Sequence, residues 1–140
     1  MIPDLQFSVL CDDVRQERNG KFILIGLFDV IGLPVFPGFF PRVCIVNRWC
    51  CGQGQFTEKT RIVSPDNGPV IAEGKEIPVQ LPTAEATVTN VEFFLNVKFD
   101  NPGVYWVEIM LGGDMTLRYP LRINRVTHPN AAPTPGTDVA

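Results

Sequence analysis

The sequence predicts an all-β protein, a two-sheet antiparallel β-sandwich of about eight or nine strands, with a closed β-barrel as the rival architecture. Three observations carry this expectation. Residues 103–123 spell two alternating apolar strands around Gly112-Gly113-Asp114, the pattern of a hairpin. Thirteen prolines and twelve glycines fall mostly between apolar runs rather than inside them, which is the punctuation of a many-stranded chain. No stretch keeps a helical period, so nothing competes with the strand reading.

Taken in order, Leu5 to Asp12 alternates, with Leu5, Phe7, Val9 and Cys11 on one face. The polar run after it ends in Asn19-Gly20, a strong turn signal. Phe22 to Phe28 is a nearly continuous apolar run, the expected pattern of a central strand covered on both faces. Gly32 to Pro41 holds three prolines, two glycines and three phenylalanines and reads as an apolar loop. Val43 to Trp49 is the next strand, and Gly52-Gln53-Gly54 turns into Phe56 to Val63. Ser64 to Pro69 is a turn by composition. Val70 to Glu73 and Ile77 to Leu81 are short strands bounded by Gly74 and Pro82. Val91, Phe93, Leu95, Val97 and Phe99 then alternate with Glu92, Phe94, Asn96 and Lys98.

In the closing hairpin, a three-residue loop at Gly112-Gly113-Asp114 sets Leu111 opposite Met115, Ile109 opposite Leu117, Val107 opposite Tyr119 and Tyr105 opposite Leu121. The other face then opposes Trp106 to Pro120 and Glu108 to Arg118, an exposed pair worth ~0.2–1 kcal/mol. Pro120 cannot donate to a ladder, which places this strand at an edge or at a bulge.

With 140 residues and 45% hydrophobic content the chain is one ordinary domain, residues 1–126, followed by a tail, 127–140, with no apolar pattern and a disordered character. The net charge is −3 and the twelve basic residues are scattered. No basic stripe can follow a phosphate backbone, so nucleic acid is not an expected partner. Membrane association is not expected either, because no apolar run approaches the ~18–20 residues of a spanning helix. The amino terminus lacks the n- and h-regions of a signal peptide. Four cysteines, Cys11, Cys44, Cys50 and Cys51, show no secreted-module spacing, and the expected setting is cytoplasmic.

Gly103-x-Tyr105 at the start of the penultimate strand resembles the strand F corner of immunoglobulin-like and fibronectin-like sandwiches, although no cysteine pair brackets the core as in antibody domains. The whole chain also resembles a group of uncharacterised small bacterial proteins through Pro3-x-Leu5, Cys11-Asp12, Gly20-Lys21, Gly26-Leu27-Phe28-Asp29, Phe40-Pro41 and Pro102-Gly103-x-Tyr105. That resemblance implies a bacterial origin and a cytoplasmic setting, and no function.

The chemistry-bearing residues read mostly as structural. Cys50 and Cys51 are adjacent and diverge on a strand, so with Cys44 they make no zinc knuckle, and no metal or cofactor is expected. His128 is the single histidine and lies in the tail, where no third group can orient it as a base. Asp12-Asp13 and Glu73/Glu76 sit beside turns as solvated charges, and Asp66-Asn67-Gly68 is a β-turn that lacks the other ligands of a calcium loop. No phosphate-binding, nucleophile-elbow or metalloprotease motif occurs. The sharpest positive candidate is Phe36, Phe39 and Phe40, joined by Arg48 and Trp49, as an interface with a protein partner or a second copy of the chain. The competing reading folds the rings over one end of the sandwich as a plug. A non-catalytic interaction or structural module therefore ranks first, a small-molecule site lined by aromatic residues second, and an enzyme third.

Overall fold

The computed structural model describes residues 1–127, and the expected tail from His128 onward lies outside them. Ten strands run β1 (Asp4–Gln16), β2 (Phe22–Phe28), β3 (Val30–Leu33), β4 (Gly38–Cys50), β5 (Gly54–Val63), β6 (Val70–Glu73), β7 (Ile77–Leu81), β8 (Val88–Phe99), β9 (Gly103–Leu111) and β10 (Asp114–Arg125). They form a four-stranded sheet, β2-β1-β4-β8, and a six-stranded assembly, β3-β10-β9-β5-β6 with β7 also paired to β5. All pairings are antiparallel except β3 with β10, where Val30–Leu33 runs parallel to Arg122–Arg125. The all-β expectation holds. The parallel β3 is an addition the alternating pattern did not reveal, because four residues after Asp29 are too few to show a period.

The core lies between the sheets. Val43, Ile45 and Trp49 of β4 and Phe94, Val97 and Phe99 of β8 meet Ile62 of β5, the odd residues Tyr105–Leu111 of β9, and Leu121 and Ile123 of β10. Tyr105 packs edge-on against Phe99 at 5.0 Å and donates its hydroxyl to the Asn101 carbonyl at 2.8 Å, so the tyrosine at Gly103-x-Tyr105 does tie the corner that precedes its strand.

Most of the hairpin register stands. Leu117 faces Ile109, Tyr119 faces Val107, Pro120 faces Trp106 and Leu121 faces Tyr105. The tip differs: the turn has two residues, Gly112 and Gly113, with φ of +58° and +91°, values only glycine adopts freely in succession. Met115 therefore faces Met110, and a bulge before Leu117 restores the frame. Pro120 lies on the stretch of β10 that precedes its pairing with β3, where no donor is needed. Glu108 is buried rather than exposed, with Arg61 at 2.7 Å and Arg118 at 3.4 Å, because β5 flanks β9 on its other side.

Three further expectations change. The Gly32–Pro41 loop shrinks to residues 34–37, since β3 reaches Leu33 and β4 begins at Gly38. The alternation on β8 switches face once, and that on β1 switches near Gln6 and again near Asp12, beside Gly26 of β2 at φ +71°. On β1 the register shifts between Leu5 and Phe7, so Leu5 packs on the main core while Phe7, Val9 and Cys11 face outward. On β8, Asn96 takes φ +50°, and the inward residues pass from Phe94 to Val97 and Phe99, leaving Phe93 and Leu95 outside at 42% and 68% exposure. Asn is among the few residues that tolerate this backbone region. Finally, β2 is not central. It is the outer strand of the four-stranded sheet, because the chain leaves it at Asp29 for the other sheet and no strand returns beside it.

Candidate interaction site

An edge strand presents a row of unpaired backbone donors and acceptors, and proteins blunt such edges with charge, proline, brevity or a cover. Among the described residues, five of the six edge stretches are blunted. Along β8, Asn90 Nδ2 donates to the Pro78 carbonyl at 3.2 Å and the Lys75 N–H donates to Glu92 at 3.0 Å, so the chain around β6 and β7 lies against it. β3 and β6 have four residues each, and β7 has five with Pro78 inside. The uncovered part of β10 carries Asp114, Arg118 and Pro120. β2 has none of these devices. Its seven residues, Phe-Ile-Leu-Ile-Gly-Leu-Phe, hold no charge and no proline, and Phe22, Ile23, Ile25 and Leu27 are 37%, 45%, 41% and 61% exposed.

The outer face of the same sheet extends this apolar surface. Cys11, Cys44 and Val46 point away from the main core yet are fully buried, covered by Phe7, Val9, Val14, Leu24 and Val91. A groove of about 660 Å³ runs beside them, lined by Phe7, Lys21, Phe22, Leu24 and Arg48. Arg48 is fixed at its floor by Gln6 at 3.0 Å, Thr89 at 2.7 Å and Thr87 at 3.3 Å. Arg42 lies over the Phe93 ring at 5.1 Å.

The sequence-predicted residues separate. Arg48 belongs to this face. Trp49, its neighbour, points the other way, is fully buried and donates its indole N–H to Glu58 at 2.9 Å, so it offers nothing to a partner; alternation on a strand makes the two diverge. Phe36 and Phe40 are half-buried against the main core, Phe36 beneath the Arg125 guanidinium at 5.1 Å and Phe40 against Phe28 at 6.1 Å. Phe39 remains 60% exposed on β4, opposite Lys98.

One buried feature escaped the sequence reading. Glu58 on β5 is 1% exposed and accepts Asn47 Nδ2 at 2.5 Å, Trp49 Nε1 at 2.9 Å and Asn90 Nδ2 at 2.6 Å. The carboxylate of one sheet is thereby held by three N–H donors of the other, which offsets the cost of burying it. Its place was readable from register, since Phe56, Glu58, Thr60 and Ile62 alternate onto one face. Nearby, burial pushes the Glu92 carboxyl above its ordinary value, against the Lys75 N–H and with the Glu58 charge.

The remaining chemical candidates do not assemble a reactive centre. Burial pushes the Cys11 thiol up and the Cys44 thiol up to about 12, while hydrogen bonding with Cys51 raises Cys50; none of the three gains the lowered pKa of a nucleophile. Asp13 pairs with Arg15 and Arg42 at 3.1 and 3.4 Å, and Glu73 with Lys59 at 3.4 Å. Asp66 and Asn67 take φ of +58° and +55° in a turn closed from Gly68 N–H to the Pro65 carbonyl at 3.1 Å. Among the described residues, no group of three or more His, Cys, Asp or Glu side chains is placed to hold a metal ion, and no helix is long and apolar enough to cross a membrane.

These features define a class: a two-sheet all-β domain with one unprotected apolar edge strand and an apolar outer face beside it. The chain belongs to DUF6941, a family of unknown function, whose model matches residues 6–124. No curated protein matches it. Among solved structures it is similar to the Pseudomonas fluorescens alkylpurine DNA glycosylase AlkC bound to DNA containing an abasic site analog, with a TM-score of 0.53 and 9% identity. The likeness covers 87% of this chain and 30% of that one, so the chain spans less than a third of that protein and shares with it the fold alone.

Proposed function

We propose that this protein is a non-catalytic interaction module that receives a protein partner on β2 and the adjoining outer face of the four-stranded sheet. The observation that carries the reading is the contrast among edges: β2 alone combines seven uncharged, proline-free residues with four exposed large apolar side chains. Adding a strand there satisfies the free backbone groups and buries those side chains together. The net charge of −3 favours protein over nucleic acid as the partner. The finer description is a bacterial, cytoplasmic, immunoglobulin-like sandwich. It is supported by the Tyr105–Asn101 corner, by thiols packed as apolar groups, as suits a reducing compartment, and by the resemblance to small bacterial proteins.

The test is photo-crosslinking from positions 23, 25 and 27, with Val104 and Met115, exposed at 38% and 53% on the other sheet, as controls. Protein crosslinks from β2 and none from the controls are expected; their absence from β2 sinks the reading. A second reading, a small-ligand site, rests on the groove beside Arg48. It predicts a thermal shift with a metabolite that does not vary with protein concentration.

A further inference from the structure

Resting on that reading, the geometry points to a second copy of this chain as the partner: β2 pairs antiparallel with β2 of the other molecule across a two-fold axis at Ile25, joining two four-stranded sheets into one of eight strands. A two-fold contact must be self-complementary, and β2 meets that condition in composition, with no charge among its seven residues. Overlap of two copies of Phe22–Phe28 puts Ile25 opposite Ile25, Ile23 opposite Leu27 and Phe22 opposite Phe28, with Gly26, whose φ is +71°, opposite Leu24 as the one irregular step. No like charges meet anywhere in the ladder.

The flanking residues argue for the same register. One step beyond each end, Lys21 comes opposite Asp29 of the second molecule, and the symmetry repeats the pair at the other end. Within the chain, neither side chain has an ion-pair partner among the described residues, and both residues are exposed. Opposite charges across neighbouring strands favour pairing, and like charges oppose it. A slip by one residue shortens the ladder and moves Lys21 opposite an apolar residue or off the strand.

The experiment is solution mass by light-scattering chromatography over a wide concentration range, with far-UV circular dichroism to monitor folding. Wild type is expected to be dimeric and Ile25→Lys, which sets two ammonium groups face to face on the axis, to be a folded monomer with at least tenfold weaker association. Lys21→Glu is expected to weaken the dimer by a few fold, and adding Asp29→Lys to restore it. Both positions lie outside the strand, so this charge reversal and its rescue decide the matter if Ile25→Lys fails to fold. A wild-type monomer at every concentration overturns the second-copy assignment, as does a dimer indifferent to these changes. Crosslinks from β2 to other proteins would in that case leave the module reading standing, whereas their absence would remove both.

Discussion

β2 and β4 exchange the places that their compositions suggest. β2 is the most continuously apolar strand and lies at the rim of its sheet, exposed at four of its large side chains. β4 carries Asn47, Arg48 and several residues that alternate in character, yet it is an inner strand, paired with β1 on one side and β8 on the other. Strand order, not hydrophobicity, decides which side chains leave water. The central strand can hold polar residues because the facing sheet and its own neighbours accept their N–H donors: Asn47 Nδ2 reaches Glu58 and Thr60, and Arg48 reaches Gln6 and Thr89. At the edge, Phe22, Ile23, Ile25 and Leu27 stay exposed in the single chain.

The comparison is broken most severely from the β4 side. Trp49→Ala removes a fully buried indole and leaves a cavity between the sheets, with an expected loss of about 3–5 kcal/mol of unfolding free energy. Urea unfolding followed by fluorescence and circular dichroism measures it. A loss under about 1 kcal/mol would mean that β4 does not anchor the core as described.

Next in size is Glu58→Ala, which removes an acceptor from Asn47, Trp49 and Asn90; Asn47 keeps Thr60 and Asn90 keeps the Pro78 carbonyl, so the indole N–H alone loses its single partner. An unsatisfied buried donor costs about 1–3 kcal/mol unless water reaches it. Glu58→Gln is expected to be milder than Ala, because one amide oxygen still accepts. If Ala and Gln behaved alike, the three-donor arrangement would not be what holds the sheets at this point.

On β2, Leu27→Lys is expected to change monomer stability by no more than about 0.5 kcal/mol, the range of exposed sites, while weakening self-association. The same kind of apolar residue thus has a small effect at the edge and a large one in the core. Unfolding midpoints at a low, fixed protein concentration separate the two effects, since dimer linkage adds stability as concentration rises. A large loss at low concentration would mean that Leu27 packs within the monomer.

Legibility in the sequence followed the same division. The hairpin pairing of β9 and β10 could be read because alternation, a glycine turn and Pro120 all constrain one register, and only the tip moved, from three turn residues to two plus a bulge. β2 could not be placed, since a short apolar run describes a strand covered on both faces and an exposed edge equally well. The face switches at Gln6 and Asn96 were hidden by alternation that continues through them in the letters while the backbone turns over. Of the five proposed contact residues, Arg48 and Phe39 lie on accessible surface, Phe36 and Phe40 are half-buried against the core, and Trp49 is inside. Residue type suggested an interface, but the facing of each side chain was set by register.

The smallest effect concerns Glu92, inward-facing on β8 and opposite Ile45 of β4. Burial raises its pKa in the folded protein above the ordinary value of 4.5. A carboxyl raised on folding binds its proton more tightly in the native state, so it costs stability above its folded pKa, and that cost fades as pH falls toward 4.5. Glu92→Gln keeps an acceptor for the Lys75 N–H and removes the charge. It is therefore expected to raise the unfolding temperature at pH 7 and to lose that advantage as the pH falls below about 4.5. Thermal unfolding of both proteins from pH 4 to 8 tests this. A constant difference across the range, or a variant less stable at pH 7, would mean that water or Lys75 already compensates the Glu92 charge, and that the polar seam of the four-stranded sheet is more open than the apolar face behind it.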